Sequence, residues 1–190
     1  MFNNLRSAVT MLGAMTLMCG LAYPFLVTGL AQLFFPFQAN GSIVMQDGQA
    51  VGSALIGQAV NDPALFWGRP SATTPVPCNG GASGGSNLGQ GNPALHQAVT
   101  ERLAALAAAD PDKRTPVPVD LVTASASGLD PHISVAAARW QAGRVARARH
   151  LPPERVLALI DSRIEGRTLG ILGESRVNVL QLNLALRESR

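Results

Sequence analysis

Apolar positions follow two regimes along the chain. From Ala8 to Phe35 almost every residue is apolar or small (AVTMLGAMTLMCGLAYPFLVTGLAQLFF), and no Asp, Glu, Lys or Arg occurs between Arg6 and Asp47. A membrane-crossing helix needs about 20 such residues. The stretch therefore predicts a transmembrane helix over residues 8–35, its excess length absorbed by tilt or an interfacial end. Pro24 should bend it, and Tyr23, Phe34, Phe35 and Phe37 supply aromatic anchors. A cleaved signal peptide is the first rival, with Gly20-Leu21-Ala22 as its small-residue site. The apolar run continues well past that site, which argues against cleavage. A lipid anchor on Cys19 is the second, and Met18 stands where a small residue is required.

Beyond residue 40 the pattern becomes mixed. Ser42–Met45 reads as a strand, Asp47-Gly48 as a tight turn and Ala50–Gln58 as a returning strand, together a hairpin. From Asn61 to Pro93 the chain is rich in proline and glycine and reads as a long loop, of a length usually reserved for function or for packing on a partner. Asn92-Pro93 opens a helix through Asp110, with Leu95, Val99, Leu103 and Leu106 on one face. Pro116–Val122 reads as an edge strand. Asp130-Pro131 is expected to cap a helix from Ile133 to His150, a second helix is expected from Glu154 to Ile164, and Arg176–Arg187 is read as helix. The fold class is α/β: one N-terminal transmembrane helix (residues 1–39 with its tail), then a single mixed α/β extracytoplasmic domain (40–190).

Charge adds the orientation. Charged residues make up 14% of the 190-residue chain, its formal net charge is +3, and Lys113 is its one lysine. Arg6 and the amino terminus lie on the short side of the helix, and the next cation is Arg69. The positive-inside rule then places residues 1–7 in the cytoplasm and 40–190 outside. Cys19 and Cys78 cannot meet within one chain, the first being in the membrane and the second in a loop.

The candidate chemistry is sparse. The run CNGGASGGSNLGQGNPAL invites comparison with phosphate-binding loops. Gly80 and Gly85 have the spacing of GxxxxGK[ST], but Ser86 replaces the lysine that would reach the phosphates. A flexible or partner-docked loop is the favoured reading. Asp130 and His132 in SGLDPHIS allow an acid–base pair, although Asp130 is better used as a helix cap. His96 and His150 have no metal-ligand spacing, so no metal site is expected. The arginines of RWQAGRVARARH surround their helix instead of forming one phosphate-tracking face, and carboxylates follow closely. A solvated or intersubunit basic surface is expected, not a nucleic-acid site. Trp67 reads as an anchor against the domain or a partner.

Several stretches, in order, resemble one family: VGSALIGQ, FWGRPSAT, SGGSNLGQGNPAL, PVDLVTASASGLDPHIS, RVARAR and EGRTLGILGESRVNVLQLNLAL. The chain is similar over nearly its whole length to the C subunit of the Kdp-type potassium-transporting P-type ATPases. It departs from the family pattern at Gln90-Gly91 (usually Pro-Thr), Ala126 (glycine), Val135 (proline) and Ser175 (proline). The resemblance implies a bacterial inner-membrane complex. A channel-like A subunit selects potassium, a B subunit binds ATP with magnesium and hydrolyses it, and a small F subunit joins them. It implies a non-catalytic C subunit with no cofactor of its own, surrounded by membrane lipid and acting as a catalytic chaperone that raises the ATP affinity of the B subunit. It makes Ser83, Gly84, Gly85 and Ser86 the nucleotide-facing candidates, by likeness to the signature loop of ABC ATPases. An external domain cannot touch cytoplasmic ATP, so on this topology the effect must travel as coupling through helix contacts. Gly13, Gly20 and Gly29 are the expected helix-packing positions. The alternative is a stand-alone, membrane-anchored external module binding a small ligand or anion through Gly80–Gly91. A hydrolase using His132 and Asp130 is a weaker third.

Overall fold

A computed structural model describes residues 2–189. Met1, whose amino terminus enters the orientation argument, and Arg190 lie outside them. The chain divides into two compact units, Met1–Ala50 and Val51–Arg190.

In the first unit, α1 (Phe2–Met15), a π-helical segment (Thr16–Ala22) and α2 (Tyr23–Phe34) run on as one rod. Its apolar stretch Asn4–Phe34, 31 residues, is long enough to cross a membrane, and none of its most apolar window is buried. Proline at the start of α2 has no N–H to return to the carbonyl four residues back. The preceding turn widens, and the Tyr23 N–H bonds to Met18 O, five residues back. A short helix, α3 (Pro36–Ala39), follows, closed by Asn40 Nδ2 donating to Pro36 O at 2.7 Å. Strands β1 (Ile43–Gln46) and β2 (Gln49–Ser53) form the hairpin the sequence predicts. Its turn residues Asp47 and Gly48 both have positive φ, 51° and 76°, as a two-residue hairpin of matching twist requires. β2 stops at Ser53, short of the expected Gln58, because Ser53 Oγ accepts the Leu55 N–H at 3.1 Å and turns the chain.

In the second unit, α4 (Pro93–Ala109) begins as read: Asn92 Oδ1 accepts the Ala94 N–H at 2.9 Å. Of its apolar face Leu106 is buried, Leu95 and Val99 are half-buried and Leu103 is exposed. The edge strand expected at Pro116–Val122 is instead a 3-10 turn, Val119–Leu121. Successive amides there fold back on nearby carbonyls, Leu121 N–H to Pro118 O and Val122 N–H to Val119 O, both at 3.1 Å. The helix expected from Ile133 starts later. His132–Ser134 is strand β3, and α5 runs Val135–Arg149. Ser134, not Asp130, is the cap, its Oγ accepting the Ala137 N–H at 3.0 Å. Asp130 instead accepts the His132 N–H at 3.0 Å, a local turn that holds the chain extended. The next helix, α6, is Pro153–Ser162. Ile164–Glu165 forms β4, the tail opens with β5 (Arg176–Asn178), and α7 follows (Val179–Glu188). The antiparallel order is β3-β5-β4, with Ile133 opposite Val177 and Glu165 opposite Arg176.

The core lies between α5, α6, α7 and this small sheet, filled by Ile133, Val145, Val156, Ile160, Val177, Leu182 and Leu186, each at most 2% exposed. Phe66 joins it from the long loop at 0% exposure. Such burial is worth about 1.5–3 kcal/mol of transfer free energy. Two side-chain amides clamp that loop. Asn183 accepts the Phe66 N–H at 2.8 Å and donates to Phe66 O at 3.0 Å. Gln141 does the same for Trp67, at 2.8 and 3.0 Å. Arg144, 2% exposed, donates to the Pro63 and Leu65 carbonyls and to Gln141 Oε1, and lies 4.5 Å from the Trp67 ring. Burial pulls its pKa down to about 10 against the raising effect of Asp110 and Asp62. Trp67 is thus anchored within its own unit.

Candidate functional site

The glycine-rich segment is packed against a second loop. Gly84 N–H donates to Ser127 O at 2.9 Å, and Ser83 Oγ donates to the same oxygen at 3.0 Å. A Cβ on Gly85 would stand 2.6 Å from Ala126 O. Gly128, at φ +69°, brings its own backbone so near that a Cβ would meet Thr73 Cγ2 at 2.5 Å and Gly84 O at 2.6 Å. Two hydroxyls hold the assembly. Ser71 Oγ donates to Gly128 O at 2.7 Å and accepts the Cys78 N–H at 2.9 Å. Thr73 Oγ1 donates to Val76 O at 2.8 Å and accepts the Asn79 N–H at 3.0 Å. Ser83 and Ser86 are exposed, and Gly84 and Gly85 are half-buried. The Gly84 amide is already engaged, so in this arrangement it is not available to wrap a phosphate.

Asp130 and His132 belong to a charged chain across the sheet. His132 Nδ1 lies 3.4 Å from Asp130 Oδ1, and its Nε2 lies 3.4 Å from Glu165 Oε2. Arg176 Nε reaches the same Glu165 oxygen at 3.1 Å, and Arg69 Nη1 meets Asp130 Oδ2 at 3.2 Å. Partial burial is the largest single influence on the Asp130 carboxyl and raises its pKa. Hydrogen bonds from the His132 side chain and backbone, with the bond and charge of Arg69, together outweigh it, and the net shift is downward. Ser134 Oγ donates to Asp120 Oδ1 at 3.2 Å while capping α5, so it is occupied structurally. The group acts as an electrostatic tie between β3, β4 and the Arg69 loop. Sequence reasoning did not single out Arg69, whose partners are 55 and 61 residues away.

The basic segment is in part the solvated surface expected of it: Arg139 and Arg147 are exposed, whereas Arg144 is buried. Arg139 pairs with Asp161 at 2.8 Å, Arg144 is buried, Arg147 pairs with Asp110, and Arg149 Nε donates to Ala64 O at 2.9 Å. Arg144, Arg147 and Arg149 find acceptors because 62–66 and 110 fold back against α5, and Arg139 finds its carboxylate on α6.

Two surfaces are left apolar. Along the membrane helix, Leu12, Leu17, Phe25, Leu26 and Leu33 are each more than 60% exposed. A Cβ on Gly13 or Gly29 would meet nothing within 4 Å, and on Gly20 would meet Thr16 Cγ2 at 3.8 Å. A helix apolar on all sides belongs in lipid or among other helices. The second surface is the β4–β5 loop, where Leu169, Ile171 and Leu172 are 85%, 75% and 57% exposed. Its backbone is ordered by Thr168 N–H to Leu172 O at 2.9 Å and Leu172 N–H to Thr168 O at 3.0 Å. Sequence reasoning did not single it out; the available signal is TLGILG, apolar residues between glycines with no periodicity.

A family model described as "K+-transporting ATPase, c chain" matches residues 5–188. A "Potassium-transporting ATPase KdpC subunit" of Polaromonas naphthalenivorans (strain CJ2) is 61% identical over 186 residues, 98% of this chain and 95% of the relative. That of Methylibium petroleiphilum is 60% identical over 182 residues, covering 96% and 95%. That of Sorangium cellulosum (strain So ce56) is 58% identical over 190 residues, all of both chains. The match takes in the apolar rod and the α/β unit alike, and the chain belongs to the KdpC family, the non-catalytic c chain of the potassium-transporting ATPase.

Proposed function

We propose that this subunit assembles with the channel-like A subunit, the ATP-hydrolysing B subunit and the small F subunit in a bacterial inner membrane. Its α/β unit sits outside the cell, and it raises the B subunit's ATP affinity through coupling and not through contact with the nucleotide. The observation that carries this is the pair of ordered, unpartnered apolar surfaces, the rod and the Leu169–Leu172 loop, in a chain that belongs to a multisubunit pump. Isolated proteins rarely expose such surfaces without a partner. The engaged Gly84 amide and Ser83 hydroxyl favour coupling over a nucleotide cradle at Ser83–Ser86. Coupling needs two states that the subunit binds unequally.

Co-purification tests the assembly. The tagged chain should bring down two large membrane proteins in fixed ratio, and Leu169→Asp with Ile171→Asp should weaken that capture without changing its own unfolding temperature. A tagged chain that elutes alone would favour the stand-alone external module. Capture unaffected by the double substitution would remove the loop from the interface.

A further inference from the structure

Beneath the inner face of α4 lies a cavity of about 270 Å3, lined by residues of the Val51–Arg190 unit. Its apolar wall includes Trp67, Leu106 and Leu121, and Cys78 also lines it. Two arginines line it, Arg69 and Arg102, and no aspartate or glutamate does.

The two arginines differ. Arg69 is neutralised by Asp130 at 3.2 Å. Arg102 donates one Nη1 bond to Val122 O at 2.7 Å, and among the described residues no carboxylate lies within ion-pair distance of it. Partial burial lowers its pKa, against the raising effect of the neighbouring Glu101 carboxylate, which is not on the cavity lining. The planar fork of Arg102 matches the geometry of a carboxylate or a phosphate. Small-ligand sites have this composition, a largely apolar wall with a few fixed polar groups. With two arginines and no carboxylate on a lining that is otherwise largely apolar, the cavity suits an anion that carries an apolar body, which favours an organic carboxylate over inorganic phosphate.

We propose that the cavity under α4 binds a small carboxylate with an apolar body, the carboxylate on Arg102 and the body against Trp67, Leu106 and Leu121. The site is distinct from the glycine loop and independent of whether the chain assembles into a pump.

Benzoate is the probe, with benzamide as its uncharged counterpart and inorganic phosphate as an anion without an apolar body. The full chain is used in detergent with Cys19→Ala, so that maleimide alkylation reports on Cys78 in the cavity lining. Benzoate should slow alkylation saturably and give a saturation-transfer NMR signal, and neither benzamide nor phosphate should match it. Arg102→Gln should weaken benzoate binding by about tenfold or more, the cost of a charge-assisted bond. Because that change also removes the Val122 bond, Ala105→Phe serves as a second variant. It keeps Arg102, fills the cavity and should abolish the benzoate effect. Absence of protection by benzoate, equal protection by benzamide or phosphate, or undiminished binding in either variant would overturn the proposal.

Discussion

At Gly128 a methyl group would arrive 2.5 Å from Thr73 Cγ2 and 2.6 Å from Gly84 O, on a backbone at φ +69° that disfavours any side chain. At Gly85 it would arrive 2.6 Å from the Ala126 carbonyl oxygen, which is backbone and cannot swing aside. Gly128→Ala and Gly85→Ala should each cost about 2 kcal/mol or more of stability. Gly89→Ala, with nothing within 4 Å of its Cβ, should be close to neutral. Thermal unfolding of the detergent-solubilised chain separates them. Equal tolerance at all three positions would mean that the glycines are not there for close packing. None of this is legible locally. The run from Gly80 to Gly91 reads as flexible because the backbone it meets, at Ala126–Gly128, lies some forty residues on. At the same scale, Asp130 looked like a helix cap because Asp-Pro commonly is one. Its carboxylate is drawn instead to Arg69 and His132, contacts made by tertiary folding.

Elements whose signals are local were legible, and those held by distant partners were not. The start of α4 is fixed by Asn92 and Pro93 alone, and the β1–β2 hairpin by Asp47-Gly48. Strands β4 and β5, two and three residues long, exist because Ile164 and Ile133 flank Val177, and no periodicity can be read from so few positions. The long loop is likewise fixed from afar, by amides on α5 and α7. Asn183→Ala would leave both the Phe66 N–H and C=O without their partner. A loss of about 2–4 kcal/mol is expected for two buried groups left unpaired. Gln141→Leu should cost a similar amount at Trp67. Neighbouring sites are not additive, and since the two amides grip adjacent residues, losing one clamp already loosens what the other holds, so the double variant should lose less than the sum. Denaturant titration measures it, and strict additivity would show that the two clamps act separately.

For the whole molecule, the membrane rod was the most legible part, because a charge-free apolar run of this length has few other uses. The apolar loop at Leu169–Leu172 was not singled out from the sequence, since its exposure depends on what folds around it. Sidedness is the large-scale expectation to test. In intact cells carrying Cys19→Ala, a thiol reagent that cannot cross the inner membrane should modify Cys78. Burial pushes this thiol's pKa up, against the lowering bond from Ser71, so labelling is best done at mildly alkaline pH, where more thiolate is present. Labelling that requires a ruptured membrane, with the thiol accessible in the solubilised folded chain, would invert the topology.

The wide turn at Thr16–Ala22 has one further consequence. Taking up one extra residue rewinds the rod by about 100° relative to an unbroken helix. Gly13 and Gly29 would stand about 160° apart without it, nearly back to back; with it they come to within about 60°. The turn ahead of Pro24 thereby draws the two glycines toward one flank of the rod, and removing Pro24 should set them nearly back to back.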